Sequence, residues 1–191
     1  MISRWRWPAA LAACILAAGL ASVRERLDVN WDLKNYHYYD AFAFLEGRLA
    51  WDVAPAQIQT YHNPLADLPF YWLVQSVPSP RIIAAVMAIP AGVAAFFLLR
   101  LAVGFFAVGF LPGGVTDRAL WVTAAFAIGA TGAAGLSVLG STMGEWPPAM
   151  CLIAAVALLL PWRERPGLAG IAALVASGLL AGIAAGLSRV G

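Results

Sequence analysis

Charged residues are scarce in this chain of 191 residues. Asp, Glu, Lys and Arg make up only 12% of it, and Lys34 is the single lysine, whereas a soluble domain carries about 25% charged residues. With 62% hydrophobic residues and a mean hydropathy of +0.78, this composition excludes an ordinary soluble domain and predicts an integral membrane protein. The net charge of +2 also argues against a nucleic-acid partner, which a strongly basic surface would attract.

Cysteines and metal-binding motifs are equally sparse. Cys14 and Cys151 both fall inside apolar runs, which favours small core residues over a disulfide. The sequence has no C-x-x-C or H-E-x-x-H motif, the spacings that would identify a metal site strongly. No metal is therefore assigned from these residues.

Long apolar runs, in contrast, are abundant. A transmembrane helix needs about 20 consecutive apolar residues, and several runs approach that length. We predict an all-α fold, a polytopic transmembrane helix bundle that forms one membrane domain over residues 1–191, with Pro90 as a kink in its second span. The five predicted spans cover about residues 7–23, 82–103, 119–139, 147–161 and 167–187.

Basic residues at the N-terminus predict the orientation. Arg4 and Arg6 precede the first span, so the positive-inside rule places the N-terminus in the cytoplasm and residues 24–81 in one long extracytoplasmic loop. The basic residues divide evenly between the two sides, but the short loops favour this orientation. The apolar run at 7–23 is longer than a usual signal-peptide core, which favours an uncleaved helix. An odd number of spans without a polar tail predicts the N-terminal part of a longer protein.

Most of the polar chemistry lies in residues 28–72. This stretch holds six of the ten acids, both histidines, the lysine and all five tyrosines. Two short helices are expected in the loop. One covers 40–49, with Ala41, Phe44 and Leu45 on an apolar face and Gly47 near its end. The other lies in a proline-rich segment at 64–80 and is interfacial or re-entrant, with Tyr71 and Trp72 in the headgroup zone.

The first part of this stretch carries an acid, a cation, an imidazole and a second acid in Asp32, Lys34, His37 and Asp40. A sugar acceptor needs a base or an orienting carboxylate, and a leaving phosphate needs cationic or hydrogen-bonding partners. If the segment is helical, Asp32, Tyr36 and Asp40 share a face and His37 neighbours Asp40. The alternative interpretation is a solvated loop whose acids balance nearby basic residues.

A second polar cluster lies further along the same loop. It consists of Gln57, Gln59, Tyr61, His62 and Asn63. These side chains are suited to hydrogen-bonding a sugar or a pyrophosphate. The alternative is a capped turn, because the residue before a proline is pushed out of the helical region.

The segments WDLKNYHYYDAFAFLEGR and APAQIQTYHNPLADLPFYW resemble a group of bacterial mannosyltransferase-like membrane proteins within the GT-C class of glycosyltransferases. The resemblance covers the first half of the chain well. It implies a GT-C fold, a polyprenyl-phosphate-linked sugar as donor, and a multi-pass location in the bacterial inner membrane. An acid early in the first loop is the usual catalytic base or metal contact of that class, which implies Asp32, with Asp28 as the alternative. A divalent cation is compatible with that role, but no cofactor is assigned.

Two residues outside the polar stretch complete the candidates. Arg81 lies at the mouth of the second span, where it either binds a lipid phosphate or extends its side chain to the interface. Glu145, between the third and fourth spans, lies where the resemblance implies a second acidic motif.

Three functions therefore compete. The first is a glycosyltransferase of the extracytoplasmic face, or the N-terminal part of one, with the bilayer and a polyprenyl-phosphate-linked sugar as its partners. The second is a non-catalytic polytopic membrane protein, a transporter subunit or scaffold; few charges lie within the spans, which weakens the transporter hypothesis. The third is an inactive truncated product.

Overall fold

The computed structural model describes residues 6–25, 29–107, 115–159 and 167–187, and this part of the chain is all-helical, without a strand. Three helices in it are long and apolar enough to span a membrane: Arg6–Glu25, Pro80–Phe106 and Leu168–Leu187. They correspond to the first, second and fifth predicted spans. The expectation of an all-α protein with membrane-spanning helices is confirmed at this level.

Nine α-helices and several tighter turns make up the described part. The α-helices are α1 (Arg6–Glu25), α2 (Tyr38–Leu45), α3 (Leu68–Ser76), α4 (Pro80–Met87), α5 (Ile89–Ala107), α6 (Val115–Ala130), α7 (Ala133–Ser137), α8 (Trp146–Leu159) and α9 (Leu168–Leu187). A π-helical turn at Leu33–His37 leads directly into α2, and 3₁₀ turns lie at Arg48–Ala50, Gln57–Tyr61 and Pro64–Ala66.

The second predicted span is interrupted close to Pro90, where a kink is predicted. Its 27 residues divide at Ala88 into α4 and α5. Pro90 has no N–H to donate to the carbonyl of Val86, four residues earlier, and its ring crowds that carbonyl. The interruption is therefore a direct effect of the sequence.

The third predicted span, 119–139, is not one helix. α6 ends at Ala130, Gly132 has ψ 131°, and the chain resumes as the five-residue α7. The Thr131 hydroxyl donates to the Ala127 carbonyl at 2.6 Å, and glycine is a weak helix former; both features favour a break here. The fourth predicted span, 147–161, corresponds to α8, whose 14 described residues rise about 21 Å; residues 160 and 161 lie outside the described residues.

α5 is the centre of the helix bundle. It packs against α1, α6 and α8, and α9 packs along α8. Small residues allow the closest approaches: a Cβ added at Gly92 of α5 would lie 2.5 Å from the Ile15 Cα of α1. Cys14 and Cys151 are free thiols, in agreement with the expectation that they form no disulfide.

A polar junction joins α1, α4 and the segment that precedes α8. The buried Ser22 hydroxyl donates to the Ala84 carbonyl at 2.8 Å. Gly140, at φ +69°, lies against this pair, and a Cβ there would come 1.8 Å from the Ser22 oxygen. Only glycine fits this position, because both the backbone conformation and the space exclude a side chain.

Residues 29–79 form a compact unit beside this junction, which we call the polar cap. α2 is its centre and contacts α3, the π-turn and the 3₁₀ turns. α3 forms in the proline-rich segment, as predicted, whereas its position in the membrane interface stays a prediction.

The predicted 40–49 helix differs in two respects from α2. α2 ends at Leu45, followed by Gly47 in the left-handed region at φ 65°, the usual conformation just after a helix end; the expected place of Gly47 is confirmed. The predicted apolar face is wrong, because Phe44 and Leu45 are exposed while Ala41 is buried. Contacts with α3 and the 3₁₀ turns determine which face of α2 is buried, and the hydrophobic pattern of residues 40–49 alone does not reveal these contacts.

We expect Gly92→Ala to lower the stability of the detergent-solubilised protein by about 1–3 kcal/mol, because its methyl group must displace the α1 backbone. The measurement is the melting temperature, followed by size-exclusion chromatography of heated samples. Gly182→Ala is the matched control, since it also lies within a helix and a Cβ there meets nothing within 4 Å. Equal melting temperatures for the two variants would contradict this packing.

Candidate functional site

A buried histidine–aspartate pair lies at the centre of the polar cap. His37 Nδ1 and Asp67 Oδ1 are 3.0 Å apart, with side-chain exposures of 0% and 2%. Asp67 occupies the N-cap position of α3 but makes no side-chain cap hydrogen bond; its carboxylate bonds the π-turn instead. The pair thus connects two segments 30 residues apart, and its burial requires that the two partners stay together.

Asp40 lies in the same interior. It follows His37 by three residues in the continuous helical segment formed by the π-turn and α2, and its exposure is 0%. His37 and Asp40, both predicted as catalytic candidates, are therefore placed inside the polar cap and away from its surface.

Asp32 has a different environment. It is partly exposed at the start of the π-turn, and its carboxylate makes no hydrogen bond or ion pair with the described residues. The expected shared face of Asp32, Tyr36 and Asp40 is not found, since Tyr36 and Asp40 are buried. A π-turn contains one residue more than an α-helical turn. The π-turn after Asp32 therefore rotates this residue away from the face that carries Tyr36 and Asp40. Lys34, within the turn, is exposed.

Tyr36 brings the two predicted polar clusters together. Its buried ring lies edge-on to His62, with centroids 5.7 Å apart, and is tilted against His37 at 4.2 Å. The glutamine and tyrosine candidates of the second cluster differ in burial. Gln57 and Tyr61 are exposed, and Gln59 is partly buried. Within the second cluster, His62 packs against the first through this ring contact with Tyr36.

Asn63 supports the turn interpretation of the second cluster. Its backbone is extended, and its side-chain oxygen accepts from the Leu65 N–H at 3.0 Å, so Asn63 caps the 3₁₀ turn Pro64–Ala66. Its side-chain nitrogen donates to the Gly186 carbonyl at 2.5 Å. The C-terminal end of α9 therefore contacts the polar cap.

The remaining candidates lie at helix ends. Arg81 is exposed in the first turn of α4, and Glu145 is exposed immediately before α8. No ion pair or hydrogen bond to another described side chain is found for Glu145. The loop that carries Glu145 does reach the cap, because the Asn30 amide lies 3.3 Å from the Met143 sulfur. Asp28 lies outside the described residues.

One polar cluster has no counterpart in the sequence-based candidates. The Arg48 guanidinium binds the Asp52 carboxylate through two nitrogens, at 2.8 and 2.7 Å, and the Tyr39 hydroxyl donates to the same carboxylate. Arg48 holds the pKa of Asp52 below its ordinary value. Desolvation and the Asp52 carboxylate raise the pKa of Tyr39 to about 12. Arg48 and Asp52 are spaced i, i+4, the only local signal for this cluster.

Two cavities flank Trp146, and neither was predicted. One, of about 120 Å³, lies beside Asp67, between α3, the α4–α5 break and the loop before α8. The other, of about 460 Å³, is lined almost entirely by apolar residues of α1, α5, α6 and α8. Trp146 lines both, so a cavity with buried polar groups and an apolar one share this residue in their walls.

The described part of the chain contains no group of three or more His, Cys, Asp and Glu side chains close enough to hold a metal ion, so no ligand set for a divalent cation is identified there. No protein-family model, curated protein or solved structure matches the chain. The assignment of roles therefore depends on the geometry of the polar cap and the two cavities.

We expect His37→Ala and Asp67→Ala each to destabilise the protein by about 3–5 kcal/mol, because each removes one member of a buried polar pair and leaves a cavity in its place. The double variant should lose less stability than the two single variants lose in sum. Stability is measured by the melting temperature and the folded yield in detergent. Arg48→Ala is the control, since it breaks an exposed pair and should change stability little. Additive effects at positions 37 and 67 would contradict a coupled pair.

Proposed function

We propose that this chain is a GT-C-like membrane glycosyltransferase, or the N-terminal part of one, that transfers a sugar from a polyprenyl-phosphate donor on the extracytoplasmic side. The observation that carries the proposal is the accessibility of Asp32. His37 and Asp40 are buried in the polar cap, while Asp32 is partly exposed and makes no hydrogen bond or ion pair with the described residues. It is the described catalytic candidate that a substrate can reach.

In the proposed reaction, Asp32 acts on the acceptor. Its carboxylate accepts the proton of an acceptor hydroxyl as that oxygen forms a bond to the anomeric carbon of the donor sugar. The bond between that carbon and the lipid phosphate breaks, and the electron pair leaves with the phosphate. Lys34, exposed two residues after Asp32, is placed to stabilise the negative charge that develops on this group. Arg81 is a second exposed cation for the same role.

The apolar cavity between α1, α5, α6 and α8 supports a lipid-linked donor. Its volume is about 460 Å³, and Ala13, Ala17 and Ala94 are among the small residues that line it. A hydrocarbon chain is the ligand that such a surface binds without leaving polar groups unpaired. A polyprenyl chain therefore fits the chemistry of this cavity.

The proposed topology has five crossings, a cytoplasmic N-terminus and a location in the bacterial inner membrane. The C-terminal ends of α1 and α9 support it, because both lie near the polar cap: Ser22 bonds α4 at the junction, and Gly186 bonds Asn63. Two helices that run in the same direction have an odd number of crossings between them, and the proposed topology puts three between α1 and α9. In this topology α6 with α7 and the short α8 supply the third and fourth crossings.

We expect Asp32→Asn to reduce sugar transfer at least 100-fold, the lower end of what a positioned general base contributes. The assay measures transfer of labelled sugar from a polyprenyl-phosphate donor by membrane vesicles containing the full chain. Glu46→Gln is the matched control, because Glu46 is an exposed acid of the same cap and should retain the normal rate. Undiminished transfer by a normally expressed Asp32→Asn protein would exclude the proposed role of Asp32.

The topology predicts opposite labelling of two introduced cysteines in a background with Cys14→Ala and Cys151→Ala. Val53→Cys, at a residue 94% exposed on the polar cap, should react with a membrane-impermeant thiol reagent in intact spheroplasts. Arg118→Cys, at an exposed residue in the first turn of α6, should react only after the cells are opened. The reverse pattern would invert the proposed orientation.

A further inference from the structure

The smaller cavity has the composition of a binding site for a small ligand. Its volume of about 120 Å³ is well above the roughly 10–15 Å³ that one water molecule needs, yet too small for a lipid. Its walls are mostly apolar, with a few polar groups, as is typical of small-molecule sites. Asp67, Phe70, Met87, Thr142 and Trp146 are among the residues that line it.

Two buried polar side chains that are far apart in the sequence line this cavity. Asp67 belongs to the polar cap, and Thr142 to the loop between α7 and α8; each is 2% exposed. A carboxylate accepts hydrogen bonds, and a threonine hydroxyl both donates and accepts. A ligand hydroxyl between them can therefore donate to Asp67 and accept from Thr142.

His37 fixes the position of the Asp67 carboxylate. The 3.0 Å contact between Nδ1 and Oδ1 occupies one carboxylate oxygen and holds the group at the start of α3. His37 does not line the cavity. It is thus a positioning residue, which acts on a ligand only through Asp67.

The charge of the cavity selects among ligands. The described residues that line it include an acid but no lysine or arginine, so a phosphate group would be repelled. The aromatic rings of Phe70 and Trp146 offer apolar surfaces, while the indole N–H of Trp146 is already bonded to the Gly135 carbonyl at 3.2 Å. Apolar ring surfaces combined with hydroxyl-binding groups match a sugar, which has C–H faces and a hydroxylated edge.

We propose that this cavity binds a single neutral monosaccharide unit, with Asp67 and Thr142 as its hydrogen-bonding partners and Phe70 and Trp146 as its aromatic walls. The choice of a sugar over another neutral polyol rests on the proposed glycosyltransferase function. The site is distinct from Asp32, so sugar binding here and sugar transfer there are separately measurable properties of the same chain.

The test is ligand-observed NMR on the full chain in detergent, with the methyl glycosides of mannose, glucose and galactose as probes and inorganic phosphate and ethanolamine as charged competitors. At least one glycoside should bind. Thr142→Val, which keeps the shape of the side chain but removes its hydroxyl, should weaken that binding about 10-fold, and the melting temperature of the variant is measured alongside to show that it is folded. Met87→Trp, which fills the cavity, should abolish it. Glu46→Gln should bind normally.

The possible outcomes distinguish sugar binding in this cavity from the proposed transferase activity. Glycoside binding that is unchanged in Thr142→Val and Met87→Trp, an absence of glycoside binding, or preferential binding of ethanolamine or phosphate would each overturn the inference, even if sugar transfer were observed. Glycoside binding that is sensitive to both substitutions would support it, even if vesicles containing the chain transferred no sugar.

Discussion

The hydrogen bond between His37 and Asp67 is the interaction on which the polar cap depends. The cap contains two short α-helices and a series of tight turns, and such elements bury little apolar surface of their own. A polar pair with almost no exposure has no access to water as an alternative partner, so separating its members is unfavourable. This requirement holds the π-turn against the start of α3. The ring of Tyr36, in contact with both His37 and His62, then adds the second half of the loop to the same unit.

Hydropathy was sufficient to predict the three helices that are long and apolar enough to span a membrane, since a long apolar run has few alternatives to a helix in a bilayer. It failed at 119–139, where a window average does not detect that Thr131 and Gly132 interrupt the helix. The polar stretch at 28–72 was identified by composition, but the burial of its side chains was not. His37 meets a partner 30 residues away, and no local pattern contains that contact. The π-turn is equally hidden, because its period differs from the 3.6 residues assumed in assigning helix faces.

The structure divides the polar residues into two groups that sequence alone treats alike. His37, Asp40 and Asp67 are interior groups of the cap, whereas Asp32 and Lys34 are accessible. The two cavities divide in a similar way, one with buried polar groups and one apolar, with Trp146 in the walls of both. The proposed donor has the same division, a sugar attached through phosphate to a hydrocarbon chain.

The interruption at Ala88 also sets how the protein fits a bilayer. α5 alone has 19 residues, a rise of about 28 Å that matches the roughly 30 Å hydrocarbon core, whereas α4 and α5 together exceed it. In the proposed topology, a hydrocarbon core filled by α5 would leave α4 at the depth of the lipid headgroups, together with the Ser22–Ala84 bond. A thicker bilayer would draw α4 into the hydrocarbon or tilt α5. In that topology, hydrophobic mismatch would act on the attachment of the polar cap, and the thickness of the host membrane would influence the geometry around Asp67.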